Sequence, residues 1–261
     1  MKLRLLACSL FAAAAFALPF SAYAGEGEEH SHEAAHIEKQ DWSFKGAFGT
    51  YDRASLQRGF EVYRQVCAAC HSMSLLSYRD LSALGYSEDQ VKAIASDATV
   101  TDGPNDEGDM FDRPGRPSDR FKAPFANNKA AMYANNGAYP PDMSLLAKAR
   151  HGGADYIYAI LTGYEEPPAG TTLMQGQHWN KAMPGHIIAM AQPISDGMVS
   201  YEDGTEGTLH NYAHDVATFL TWAAEPHMEA RKRMGTRAFI FLLVFTFIMY
   251  GVKKRVWRDV H

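Results

Sequence analysis

Cysteine is scarce: three residues in 261, at positions 8, 67 and 70. Cys8 lies inside the N-terminal apolar run, so beyond that run no disulfide can form between positions other than 67 and 70. No second pair of Cys or His ligands stands at matching spacing, which removes a structural zinc site. No internal repeat or low-complexity tract is evident, and strand signals are weak, so helices and loops should dominate. Positive charge is in deficit, 25 Lys+Arg against 30 Asp+Glu, which disfavours nucleic acid as a partner.

What is present is compact: Cys67-Ala68-Ala69-Cys70-His71. Two thiols three positions apart can add across the two vinyl groups of a haem. The histidine immediately after them is then held under the iron as an axial ligand. A thioredoxin-like redox pair would fit the spacing, but it needs neither the histidine nor an exported chain. Covalent haem c is the favoured reading.

Both ends carry addresses. Lys2 and Arg4 precede the apolar stretch Leu5 to Phe20, and Ala22-Tyr23-Ala24 supplies the small residues of a cleavage site. Residues 1–24 therefore read as a signal peptide, with Gly25 as the expected first mature residue. Leu5-Leu6-Ala7-Cys8 resembles a lipoprotein processing site only superficially, because such a site comes after the apolar run and this one opens it. Export implies an oxidising compartment, where two neighbouring thiols would close on each other unless haem occupied them. Near the other end, Ala238 to Val252 is apolar throughout and is followed by Lys253-Lys254-Arg255. Those residues give roughly 22 Å of helix, and extension to Met234 with a snorkelling Arg237 brings the span closer to the ~30 Å of a hydrocarbon core. Residues 234–254 are therefore expected to be a transmembrane anchor, against the alternative of a buried core helix, and 255–261 a cytoplasmic tail. Basic residues balance on the two sides, so the signal peptide sets the orientation. The main domain faces the periplasm, single-pass in the inner (cell) membrane, or the mitochondrial equivalent.

Between the ends, residues 25–41 form an acidic tail with His30, His32 and His36, readable as a metal site or, more simply, as a solvated terminus. Residues 42–230 suffice for one domain. A first helix is expected over Ser55 to His71, with Ser55 as cap and Leu56, Phe60, Tyr63 and Val66 at helical spacing. Gly59 would let another helix approach closely; the helix expected over Asn211 to Trp222 is the available partner. Asp97 to Asn128 is turn-rich and reads as an irregular surface insertion, Ala154 to Leu161 as a short helix, and Ala169 to Thr208 as loops wrapping the haem. The fold class is mainly α: a cytochrome c-like haem domain with long loop insertions and one C-terminal transmembrane helix.

The distal side of the iron needs a second ligand if the centre is to be a carrier. Met190 lies in an apolar loop closed by Pro193. Met143, Met174, Met183 and Met198 compete by residue type, as do His151, His178 and His186, and residue type and spacing leave the choice open.

Several motifs together resemble the cytochrome c1 family, the haem subunits of cytochrome bc1 complexes. They are Asn135-Asn136-Gly137-Ala138-Tyr139-Pro140-Pro141-Asp142, Ala149-Arg150-His151-Gly152-Gly153, Leu161-Thr162-Gly163-Tyr164, Pro184-Gly185 leading into Met190-Ala191-Gln192-Pro193-Ile194, Tyr201-Glu202-Asp203-Gly204-Thr205, and Trp222-Ala223-Ala224-Glu225-Pro226 with Arg231-Lys232-Arg233-Met234-Gly235. The resemblance runs from about Trp42 to the anchor. It implies haem c on Cys67 and Cys70, His71 and Met190 as iron ligands, Arg150 and Tyr156 on the propionates, and Asn135 and Pro141 lining the pocket. It also implies cytochrome b, a Rieske iron–sulfur protein and soluble cytochrome c as partners, beside membrane lipid. Some bacterial members carry an extra disulfide before the methionine; this chain lacks those cysteines.

Without the leader the chain holds 23 basic and 30 acidic side chains, a net charge of −7. Acids gather at Asp102, Asp106, Glu107, Asp109 and Asp112, at Glu165-Glu166, and at Glu202, Asp203 and Glu206. Such a field would steer a basic redox partner. An enzyme with an open iron, such as a peroxidase or nitrite reductase, and an assembly subunit with a redox-silent haem are the rival readings.

Overall fold

The computed structural model describes residues 37–259. The expected leader with Cys8, and the histidines His30, His32 and His36, lie outside the described residues. Helix α1, Arg53–Gln65, is capped by Asp52, whose carboxylate accepts from Ala54 N at 3.0 Å. The expected cap, Ser55, is instead a buried residue whose hydroxyl donates to Asp215 at 2.6 Å. Leu56, Phe60 and Tyr63 recur at helical spacing and are buried, as is Val62 beside them. The helix stops short of His71 because Cys70 N and His71 N both reach the Cys67 carbonyl, at 3.1 and 2.9 Å. That convergence tightens the chain into a 3₁₀ turn over Cys67–Ala69.

After a second 3₁₀ turn, Tyr78–Leu84, come α2 Glu88–Ser96, α3 Asn128–Ala134, α4 Leu146–Ala149, α5 Ala154–Thr162, α6 Leu209–Ala224 and α7 Met228–Val256. The core is the crossing of α1 on α6. A Cβ placed on Gly59 would stand 2.1 Å from Asp215 O and 2.8 Å from Phe219 Cβ, so only glycine allows the two backbones to meet. Phe60, Tyr63, Phe121 and Phe219 interlock around that contact, with ring centroids 5.6–6.2 Å apart. Helices α4 and α5 also pack on α6. The buried Asp215 is satisfied by Ser55 and by Arg58, whose Nε lies 2.7 Å away. At the N-terminal edge, Trp42 is buried, stacks on His214 and donates to Asp155 at 2.6 Å.

Two expectations need correction. The segment 97–128 is not wholly irregular: β1 Thr99–Asp102 pairs antiparallel with β2 Phe111–Pro114. Thr99, Val100 and Thr101 favour extended chain, and Arg113, paired with Asp102 and Asp119, clasps the base of the hairpin. Within the loops of 169–208, β3 His178–Trp179 pairs with β4 Ile187–Ile188. Helix α7 is one uninterrupted rod whose first residue, Met228, is buried in the domain. It then becomes long and apolar enough to cross a membrane, with a mean hydropathy of 1.8 over 18 residues that bury nothing.

Candidate haem-binding site

Three segments build the first half of the site. The 3₁₀ turn places Cys67 half-buried and Cys70 exposed, both as free thiols. Burial pushes the Cys67 thiol up to about 12, so it is held as S–H. His71, 8 % exposed, presents Nδ1 to the Pro141 carbonyl at 2.8 Å. Burial depresses its basicity and the carbonyl bond only partly offsets this, so the imidazole is neutral. A neutral ring that donates from Nδ1 keeps its lone pair on Nε2, the form a metal requires. Tyr63 supports the backbone here, its hydroxyl donating to His71 O at 3.2 Å.

Asp142 is the residue that sequence reasoning missed as a site member. Its carboxylate accepts from Ser72 Oγ at 2.8 Å, Ser74 N at 2.9 Å and Ser144 N at 2.8 Å. Met143 N completes the clasp on Ser72 O at 2.8 Å. Burial alone would raise the Asp142 carboxyl, yet these donors hold it at about 2. The segment after the histidine is thereby fastened to the segment that carries its hydrogen-bond acceptor. Its signal in the sequence was only the short serines at 72, 74 and 144, which mean nothing until the two segments meet.

Most of the candidate distal ligands lie on the loops between α5 and α6. Tyr164, just past the end of α5, donates to Met190 O at 2.9 Å, and Asn180 Nδ2 donates to Ile160 O at 2.7 Å. Met190 is half-buried, and no protein donor reaches its sulfur among the described residues. The competing sulfurs are otherwise engaged or placed. Met183 Sδ takes the Tyr156 hydroxyl at 3.8 Å, Met198 Sδ takes Ser195 N at 3.2 Å, and Met174 is 69 % exposed. Met143 is packed in the core. Of the histidines, His151 is exposed, whereas His186 stacks on Trp179 at 4.8 Å and buries an Nδ1 that has no partner among the described residues.

Arg150 and Asn135, expected from the sequence at the pocket, lie at the ends of α4 and α3. Arg150 is exposed in the turn between α4 and α5, and no carboxylate pairs with it among the described residues. Asn135 caps α3 and donates to Ala131 O at 2.8 Å. Among the described residues no three His, Cys, Asp or Glu side chains gather as a cage for a bare ion. Two free thiols beside an imidazole that presents Nδ1 to a carbonyl and leaves Nε2 for a metal fit a haem.

Part of the acidic surface is structural. Arg113 binds Asp102 and Asp119, and Arg58 binds Asp203 at 2.8 Å. Asp106, Glu107 and Asp109, on the loop joining β1 to β2, remain exposed, as do Glu165 and Glu166.

Residues 42–260 match the model of the Cytochrome C1 family. A mitochondrial haem protein of Arabidopsis thaliana, cytochrome c1 1, is 50 % identical over 240 residues, covering 92 % of this chain and 77 % of its own. The cytochrome c1 of Rhodospirillum rubrum is 47 % identical over 240 residues, 86 % of this chain and 88 % of its own. The cytochrome b/c1 of Bradyrhizobium diazoefficiens is 50 % identical over 242 residues, 84 % of this chain but only 35 % of its own length.

Proposed function

From the premise that this chain belongs to the cytochrome c1 family, whose members carry one covalently attached haem c, we propose that it is the one-electron carrier of a quinol–cytochrome c oxidoreductase. It would receive electrons from a Rieske iron–sulfur protein and deliver them to a soluble cytochrome c. It would sit beside cytochrome b, with its haem domain in the periplasm and α7 in the inner membrane. When bound, the haem supplies a ferric/ferrous couple that changes by one electron without bond chemistry at a substrate. No catalytic site of the chain's own is needed.

Each residue has a separable task. Cys67 and Cys70 would hold the macrocycle through thioether bonds, each thiol adding its S–H across a vinyl group. His71 would ligate through Nε2 while Pro141 O and Asp142 hold its orientation. Met190 would provide the sixth ligand, a thioether that favours the ferrous state and raises the potential. Arg150 pairs with a propionate, for which guanidinium geometry is suited. Tyr156 would exchange the weak sulfur acceptor of Met183 for the other propionate. Asn135 lines the pocket wall. The exposed acids on the β1–β2 loop and at Glu165-Glu166 steer a basic electron acceptor.

The observation that carries this reading is His71, held by Pro141 O through Nδ1 at 2.8 Å and set beside two free thiols. One alternative has a specific observation behind it: His186 as sixth ligand, on the strength of its unpartnered nitrogen. Near-infrared spectra of the oxidised holoprotein separate the two, because sulfur ligation produces a charge-transfer band that bis-histidine ligation lacks. Met190→Leu should keep covalent haem, abolish that band, lower the potential and admit carbon monoxide to the reduced protein. An unchanged band in this variant refutes Met190. Rapid carbon monoxide binding by the unmodified protein refutes the carrier.

A further inference from the structure

A cavity of about 310 Å³ lies between the loop at 47–50 and the first turns of α7. Its polar walls are Glu229, Lys232, Arg233, Thr236 and Arg237, and Phe48 stands on its lip, 82 % exposed. Three of the polar groups are already engaged. Glu229 accepts from Tyr51 N at 2.9 Å and from Arg53 Nη2 at 2.8 Å. Lys232 Nζ donates to the carbonyls of Phe44, at 2.6 Å, and Gly49, at 3.0 Å, and Thr236 Oγ1 donates to Lys232 O at 3.0 Å. Outside the cavity, Arg231 is paired with Glu225 at 2.6 Å.

Arg233 and Arg237 differ from these. They stand one helical turn apart on the same face, and no carboxylate pairs with either among the described residues. Arg237 immediately precedes Ala238, where the continuous apolar stretch begins. Two uncompensated guanidiniums thus open onto a recess at the depth where the hydrocarbon of a bilayer would start, with an exposed phenyl ring beside them. The ligand that matches is an anion with apolar chains attached, because guanidinium forks fit phosphate oxygens and an exposed phenyl ring buries itself among acyl chains at the headgroup boundary.

We propose that this recess binds the phosphodiester headgroup of an anionic phospholipid from the leaflet on the haem-domain side. Arg233 and Arg237 hold the phosphate, and Phe48 packs on the upper acyl carbons. The site rests on the reading of α7 as a membrane-spanning helix and adds to it a lipid preference. It also explains why the 47–50 loop is lashed to α7 by Lys232: the loop is one wall of the recess.

The test uses the full-length holoprotein in its complex, placed in phosphatidylcholine nanodiscs with a minor fraction of spin-labelled phosphatidylglycerol. Electron paramagnetic resonance then reads the motionally restricted fraction. R233Q/R237Q should weaken apparent affinity for the labelled lipid about thirty-fold, and R237Q alone about five-fold. Haem absorbance should stay unchanged, since both side chains are exposed. Phe48→Ser should weaken it a few-fold. Equal restriction in unmodified protein and R233Q/R237Q overturns the site, as does displacement of the label by excess inorganic phosphate. Alkaline carbonate extraction separates the two claims. Release of the unmodified chain overturns anchor and site together; retention without a phosphatidylglycerol preference overturns the site alone.

Discussion

Replacing Gly59 by alanine tests the frame that holds the haem turn. A Cβ there would lie 2.1 Å from Asp215 O, 2.6 Å from Asp215 C and 2.8 Å from Phe219 Cβ. Reaching an ordinary contact of 3.4 Å from the carbonyl oxygen requires α1 and α6 to part by about 1.3 Å. The obstacle is backbone, so no rotamer relieves it. Overpacking of this kind costs about 1–3 kcal/mol and belongs here at the upper end. The better helix propensity of alanine returns about 1 kcal/mol, leaving a net loss of about 2 kcal/mol. For a domain of this size that is a fall in Tm of roughly 4–8 °C. The assay is thermal unfolding of the full-length holoprotein in detergent, tracked by circular dichroism and haem absorbance. Gly235→Ala is the control: nothing lies within 4 Å of the added carbon, so Tm should hold or rise. An unchanged or higher Tm for Gly59→Ala refutes the close-approach argument.

The Asp142 clasp should make the haem site acid-labile. Its carboxyl is held at about 2, below the ordinary 3.8, so the stability it contributes is present above pH 4 and is lost as pH falls towards 2. Discounted for its partial exposure this is about 1 kcal/mol, and Asp142→Asn should flatten acid unfolding across that window; an unaltered acid limb contradicts the clasp. Arg58→Met leaves Asp215, 4 % exposed in its side chain, without its cation. It should cost about 3 kcal/mol in denaturant titrations, and a loss below about 1 kcal/mol would show that Ser55 and His214, whose Nδ1 lies 3.9 Å from the carboxylate, suffice. Truncation before Arg237 should give a haem protein that no longer enters membranes, read by carbonate extraction of cells expressing it alone; persistence in the lipid fraction contradicts the anchor.

The elements legible in the sequence are those whose cause is local. The Cys67–His71 turn is covalent logic within five residues, and its chemistry does not depend on what packs nearby. The periodicity of Leu56, Phe60 and Tyr63 announced α1, and uniform apolarity after Arg237 announced the exposed stretch of α7. The glycine at 59 pointed to a helix crossing because a missing side chain inside an amphipathic pattern has few other uses. The family likeness, spread over many short motifs, reached further than any single pattern.

Tertiary structure decided whatever depends on two distant segments meeting. Ser55 looked like a cap from its neighbours and proved to be the donor to Asp215, 160 positions away. The β1–β2 hairpin depends on Arg113 reaching Asp102 and Asp119, a closure that composition does not encode. Asp142 acquires its role only because its segment lies against Ser72 and Ser74. The tautomer of His71 is set by one carbonyl 70 residues on. Sequence by itself determined which groups can bond a haem and which stretch can lie in lipid, since those are properties of side chains taken in order. Orientation, protonation and pairing belong to the fold, because hydrogen bonds and ion pairs act across a few ångströms of space whatever separates their partners along the chain.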